Sequence, residues 1–105
     1  MNKVSVIVIN NNDKKSIESI LNQSYKNIEI IYLYEKLSSE IEYFNIEDKE
    51  RIKLVQVQNL SKWNQRIIGI NKATGDYISF LEGNDYYDLD YFRLMIKNAT
   101  ENKSD

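Results

Sequence analysis

The sequence predicts an α/β domain: a Rossmann-like, three-layer arrangement on a mainly parallel four-stranded sheet. Three observations predict it. Runs of β-branched residues alternate along the chain with segments whose apolar residues recur at helical spacing. The first two runs are apolar at nearly every position, as strands buried on both faces require. The strand–helix order repeats four times, which suits parallel strands joined by crossover helices. At 105 residues, 42% hydrophobic and 29% charged, the chain matches one core-forming domain, and no linker or internal repeat divides residues 1–105.

Residues 3–9 form the first predicted strand, Lys3-Val4-Ser5-Val6-Ile7-Val8-Ile9, which stops at the polar cluster Asn10-Asn11-Asn12-Asp13. That cluster opens a helix with Asn12 or Asp13 as N-cap, and Ile17, Ile20 and Leu21 share one of its faces. Residues 27–34 are the second strand. The polar stretch 36–50, anchored by Ile41, Phe44 and Ile46, is predicted as a short helical crossover. Residues 52–57 alternate, which suits a strand at a sheet edge.

Leu60, Trp63, Ile67 and Ile70 mark the apolar face of a helix over 61–73, which places Trp63 in the core. Gly75 stands where a helix C-terminus favours a residue without Cβ. A fourth strand over 76–81 leads into the polar loop Glu82-Gly83-Asn84-Asp85. A last helix over 88–99 turns Leu89, Phe92, Met95 and Ile96 to the core, with Tyr86 and Tyr87 as packing residues.

Composition excludes several function classes. A net charge of −2, with Lys and Arg dispersed along the chain, gives no electrostatic basis for a nucleic-acid partner or an acidic membrane surface. No apolar run is long enough to span a bilayer, and the first residues lack a signal-peptide pattern, so a cytoplasmic location is expected. The absence of Cys removes disulfides and thiolate chemistry, and the absence of His removes the commonest general base. Chemistry must therefore rest on carboxylates, Lys, Tyr, hydroxyls or a hard cation held by oxygen. The wealth of Asn, Lys, Ile and Tyr fits the codon bias of a low-GC bacterial genome. Glycine-rich fingerprints for dinucleotides and the Walker phosphate loop are absent from the sequence.

In an open parallel sheet, ligands bind at the carboxyl ends of the strands near the reversal of strand order. The candidate loops therefore begin at Asn10, Tyr34, Gln58 and Glu82. Two segments here carry a family resemblance. Asn22-Gln23-Ser24-Tyr25-Lys26-Asn27-Ile28-Glu29-Ile30-Ile31 resembles the helix-to-strand segment of family 2 glycosyltransferases. Ala73-Thr74-Gly75-Asp76-Tyr77-Ile78-Ser79-Phe80-Leu81 resembles the strand that leads into the same family's metal motif.

The resemblance implies the N-terminal, nucleotide-sugar-binding half of a GT-A fold. It implies a nucleotide-diphospho-sugar donor of the UDP type and assigns donor-binding roles to Asn12, Glu35, Asn59, Arg66 and Glu82. The family's Asp-x-Asp-Asp metal motif is matched by Glu82-Gly83-Asn84-Asp85, so Glu82, Asn84 and Asp85 become the implied ligands of Mg²⁺ or Mn²⁺. Asn84 supplies an oxygen without a charge, which departs from the family pattern.

The family's catalytic base and acceptor site belong to a second half that this sequence does not match. The chain is therefore expected to lack catalytic competence alone, as a truncated domain. The alternative is a degenerate, non-catalytic binding or assembly module of the same fold. A third reading is an unrelated Rossmann-like domain for a different small ligand. The fourth strand, which begins at Tyr77 and reaches Leu81, is expected to expose an apolar edge able to pair with a second copy or another polypeptide.

Overall fold

A computed structural model describes residues 2–9, 14–35, 50–58, 60–82, 87 and 89–101. They form β1 (Val4–Ile9), α1 (Lys14–Leu21), β2 (Ile28–Tyr34), β3 (Ile52–Gln56), α2 (Lys62–Lys72), β4 (Tyr77–Glu82) and α3 (Tyr91–Glu101). The predicted crossover anchors Ile41, Phe44 and Ile46 lie outside the described residues, as do the N-cap candidates Asn12 and Asp13 and the packing candidate Tyr86.

The strands lie in the order β3-β2-β1-β4, and each neighbouring pair is parallel. β1 is central: Val6 stands between Ile30 of β2 and Ser79 of β4, and Ile9 between Leu33 and Glu82. Its six residues are all buried, as the unbroken apolar run requires. β3 lies at one edge, as its alternation predicts, and β4 at the other.

Because side chains alternate across a strand, the sheet divides its core in two. On one face Val4, Val6, Val8, Ile28 and Ile30 pack with Ile17 and Ile20 of α1 and Phe92 of α3. On the other, Ile7, Ile9, Ile31 and Leu33 pack with Leu60, Ile68 and Ala73 around α2. This is the α/β/α layering of a Rossmann-like domain.

Three sequence expectations need correction. In α2 the buried residues are Gln65 and Gly69, whereas Trp63 is 68% exposed and Ile67 and Ile70 are also exposed. Gly69 explains the rotation. A Cβ there would sit 2.5 Å from Ile7 Cγ2, so its absence lets the helix settle on β1 along its narrowest face. The energy of close approach outweighs burial of the wider apolar stripe.

In α3, Phe92 is buried and Met95 and Ile96 pack against the core, but Leu89 lies ahead of the helix and is 60% exposed. Its carbonyl is what the fold uses, accepting a hydrogen bond from Ser24 N at 2.9 Å. Gly75 is not the cap of α2, a position held by Ala73. Gly75 is small because a Cβ would meet Ser5 Oγ at 2.5 Å and Lys3 O at 2.8 Å. Tyr87 packs as expected, its ring 4.7 Å from that of Tyr91 and 4.8 Å from that of Phe92.

Candidate functional site

The strand order reverses between β1 and β4, since β2 and β3 are laid to one side of β1 and β4 to the other. Crevices beside such a reversal, at the carboxyl ends of the strands, are where open α/β sheets bind ligands. Here that place is marked by Ile9 and its register partner Glu82, the last residue of β4.

α2 starts near this end because Ser61 caps it. The Ser61 hydroxyl accepts from Asn64 N at 3.2 Å, satisfying one of the amides a helix leaves open. One turn further on, Arg66 reaches the end of β4. Its Nη2 lies 2.5 Å and its Nε 2.7 Å from the same oxygen, Glu82 Oε1, so Oε2 takes no part in the pair. Both side chains are half-buried. A charge-assisted contact of this kind holds two side chains in one geometry while leaving both within reach of a polar ligand.

Glu35 follows β2 directly and is exposed; its carbonyl accepts a long hydrogen bond from Gln56 Nε2 at 3.4 Å. It shares the carboxyl end with Glu82, but β1 stands between their strands, which are therefore roughly 10 Å apart by normal strand spacing. The structure thus joins Arg66 and Glu82 and holds Glu35 across the reversal point. Asn12, Asn59, Asn84 and Asp85 lie outside the described residues.

Among the described residues, no group of three Asp, Glu, His or Cys side chains is arranged to hold a metal ion. The implied donor set of Glu82, Asn84 and Asp85 is all oxygen, which suits a hard cation such as Mg²⁺ or Mn²⁺. Its one described member, Glu82, retains an oxygen that Arg66 does not occupy.

A second polar constellation went unremarked in the sequence, at the opposite end of the sheet. Glu29 is a carboxylate inside a buried strand, its side chain only 5% exposed. Its Oε2 accepts from Ser5 Oγ at 2.5 Å, Thr74 N at 2.6 Å and Thr74 Oγ1 at 2.9 Å. Its Oε1 lies 3.1 Å from Lys53 Nζ and 3.7 Å from Lys3 Nζ.

Burial pushes the Glu29 carboxyl upward, but hydrogen bonds from Ser5 and Thr74, with help from Lys53, outweigh it and hold the pKa at about 2. The signal available in the sequence was the lone charge in Ile28-Glu29-Ile30-Ile31. A buried carboxylate must be paired, yet its partners come from other strands and loops. Gly75 N closes the arrangement by donating to Ser5 Oγ at 2.8 Å.

A parallel sheet covered by helices on both faces, with its strand order reversing beside β1, places these residues in the class of Rossmann-like α/β domains. The family model for Glycosyl transferase family 2 matches residues 5–105, and the chain belongs to that family.

It is 31% identical to glycosyltransferase GlyA of Streptococcus pneumoniae over 98% of the chain and 16% of that protein. It is 36% identical to an uncharacterized glycosyltransferase of Rickettsia bellii, over 84% of the chain and 13% of the relative. A further uncharacterized glycosyltransferase, from Haemophilus influenzae, is 36% identical over 84% of the chain and 37% of its own length. The chain thus spans between about one eighth and two fifths of the curated relatives it matches.

Proposed function

We propose that residues 1–105 form one nucleotide-diphospho-sugar-binding domain of a glycosyltransferase, with a UDP-type donor at the carboxyl ends of the strands. The observation that carries this reading is the contact of Arg66 with Glu82 beside the strand-order reversal. A guanidinium there suits a diphosphate, with which it forms charge-assisted hydrogen bonds. Glu35, across β1, is the carboxylate for the base and ribose end of the donor. Asn12 and Asn59 are the further residues to which the family resemblance assigns donor contacts.

Glu82, with Asn84 and Asp85, is the oxygen donor set for Mg²⁺ or Mn²⁺. When bound, such a cation neutralises charge that grows on a departing diphosphate. The chain's own residues hold and orient the donor. The base that activates an acceptor hydroxyl is assigned to a segment beyond those matched here, so this domain alone binds donor without efficient transfer.

The second reading, a degenerate binding or assembly module, is favoured by a different observation. Among the described residues β4 is an edge strand whose Ile78 and Phe80 are exposed, and Trp63, Ile67 and Ile70 of α2 are exposed as well. An apolar edge without charge from Tyr77 to Leu81 invites pairing with a second copy or another polypeptide. Among the described residues, no helix is long and apolar enough to cross a membrane.

Calorimetric titration with UDP, with and without Mn²⁺, tests the first reading. Metal-dependent binding weakened by Asp85→Ala, Glu35→Ala and Arg66→Ala is the expected result. Heat indistinguishable from dilution up to millimolar UDP would sink it. Sedimentation over a wide concentration range tests the second reading: a strictly monomeric chain has no self-pairing edge.

A further inference from the structure

α2 rests on the sheet through Gln65 and Gly69, which leaves its apolar stripe uncovered. Residues two apart on a helix point to nearly opposite sides, so Trp63 and Ile67, two positions either side of Gln65, face away from β1. Ile70 follows Trp63 by seven residues and Ile67 by three, which completes one stripe along the outer side of the helix. All three are exposed, and Trp63 is the most exposed large apolar side chain among the described residues.

The charges on α2 have one sign. Its eleven residues include Lys62, Arg66 and Lys72 and no acid. Arg66 is occupied by Glu82. Lys62 and Lys72 are exposed at the two ends of the helix, and neither meets a carboxylate among the described residues. The net charge of −2 for the whole chain does not describe this surface. Salt screens charges beyond about 8 Å, so a partner lying on α2 responds to the local cations.

From this pattern we infer that the outer side of α2 is a docking surface for an anionic lipid bilayer. Trp63, Ile67 and Ile70 enter the headgroup layer, and Lys62 and Lys72 meet the lipid phosphates. An exposed Trp suits that boundary, where its ring touches acyl chains while its N–H stays wet. The stripe is narrow and lies on the convex side of a helix, a shape that a fluid surface closes around. Lysine stems can lie along it while their ammonium groups reach phosphate. A second copy fits poorly: with no acid on α2, two copies packed through it bring cations together in either orientation. Such attachment lies in the interface plane and spans nothing. It uses none of the residues proposed to hold the donor.

Trp63 is the chain's only tryptophan, so its emission reports the stripe without a label. The test titrates the whole chain with phosphatidylcholine vesicles, with and without phosphatidylglycerol. With phosphatidylglycerol the emission should move to shorter wavelength, saturate with lipid, and reverse in high salt. Neutral vesicles should bind about tenfold more weakly. Lys62→Gln with Lys72→Gln should cost about tenfold in affinity for the anionic vesicles, and Ile67→Gln with Ile70→Gln about fivefold or more. These positions are exposed, so the variants are expected to fold, which circular dichroism checks.

Unchanged emission with the anionic vesicles overturns the inference, as does equal binding to neutral ones. Two further results overturn it by giving the stripe another occupant. A shift that follows protein concentration without lipid assigns it to a second copy. A shift produced by an acidic amphipathic helical peptide, and not by vesicles, assigns it to a protein partner.

Discussion

At the amino ends of the strands, Glu29 is held by Ser5, Thr74 and Lys53 with its side chain 5% exposed. At the carboxyl ends, Glu82 is held among the described residues by Arg66 and is 22% exposed. Both are carboxylates on β-strands with a cation in contact, yet their surroundings give them different roles. Glu29 has three hydrogen-bond donors from two other parts of the chain, so removing it strands several buried groups. Glu82 shares one oxygen with one partner, and that pair can open to a ligand without unravelling the sheet. A buried carboxylate tied to several internal donors marks a structural role, and a more exposed one whose described partner is a single arginine at the strand-order reversal marks an accessible one.

The largest test of this contrast is Gly75→Val. Its Cβ would press on Lys3 O and Ser5 N, at 2.8 and 2.9 Å, where backbone must move and Glu29 loses its neighbours. We expect a loss of about 3 kcal/mol or more in urea unfolding. An unchanged midpoint would show that the amino end is loosely packed.

Glu29→Gln comes next, at about 2 kcal/mol, since the amide keeps an acceptor for Ser5 and Thr74 but not the charge facing Lys53 and Lys3. The same residue predicts acid sensitivity. Its folded pKa of about 2 lies below the ordinary value of 4.5, so its contribution is present above pH 4.5 and fades as pH falls toward 2. Allowing for screening at the half-exposed lysines, this amounts to about 2 kcal/mol across that interval. Glu29→Gln should flatten the corresponding part of the stability–pH curve, and an equally steep curve would assign the acid loss elsewhere.

Arg66→Ala should cost less than about 1 kcal/mol, because its pair with Glu82 is solvent-accessible. Its effect belongs in UDP affinity, expected to fall by about tenfold. A large stability loss without an affinity change would make the carboxyl-end pair as structural as Glu29. The smallest effect is expected from Trp63→Ser, within about 0.5 kcal/mol, because the ring is 68% exposed. A core-sized loss would restore the burial that the helical spacing predicts.

The same comparison explains what could be read from the sequence. The apolar runs of β1 and β2 announced a parallel sheet because nothing but double-sided burial requires so many consecutive Val and Ile residues. The orientation of α2 was not legible from apolar spacing, since it is set by a side chain that is absent, at Gly69. The segments that carry the family resemblance turn out to be contacts with each other and with the core. Thr74 meets Glu29 across 45 residues of sequence, and Gln23 Oε1 accepts from Phe92 N at the start of α3. Their motifs pointed to the right family through residues that hold the fold together. At the candidate site, Arg66 and Glu82 were legible singly, but their pairing depends on how α2 lies beside β4.

The central position of β1 also has a kinetic consequence. Its backbone needs both β2 and β4, and the contact of Lys3 N with Asp76 Oδ2 spans 73 residues. A chain leaving the ribosome can pair β1 with β2 early, but one edge of β1 stays open until the residues of β4 have emerged. Loop closure over such a distance precedes the contacts that reward it, which places this fold among slower-folding topologies. During that interval the Val- and Ile-rich edge of β1 is the surface most exposed to mispairing, until the residues of β4 pair with it.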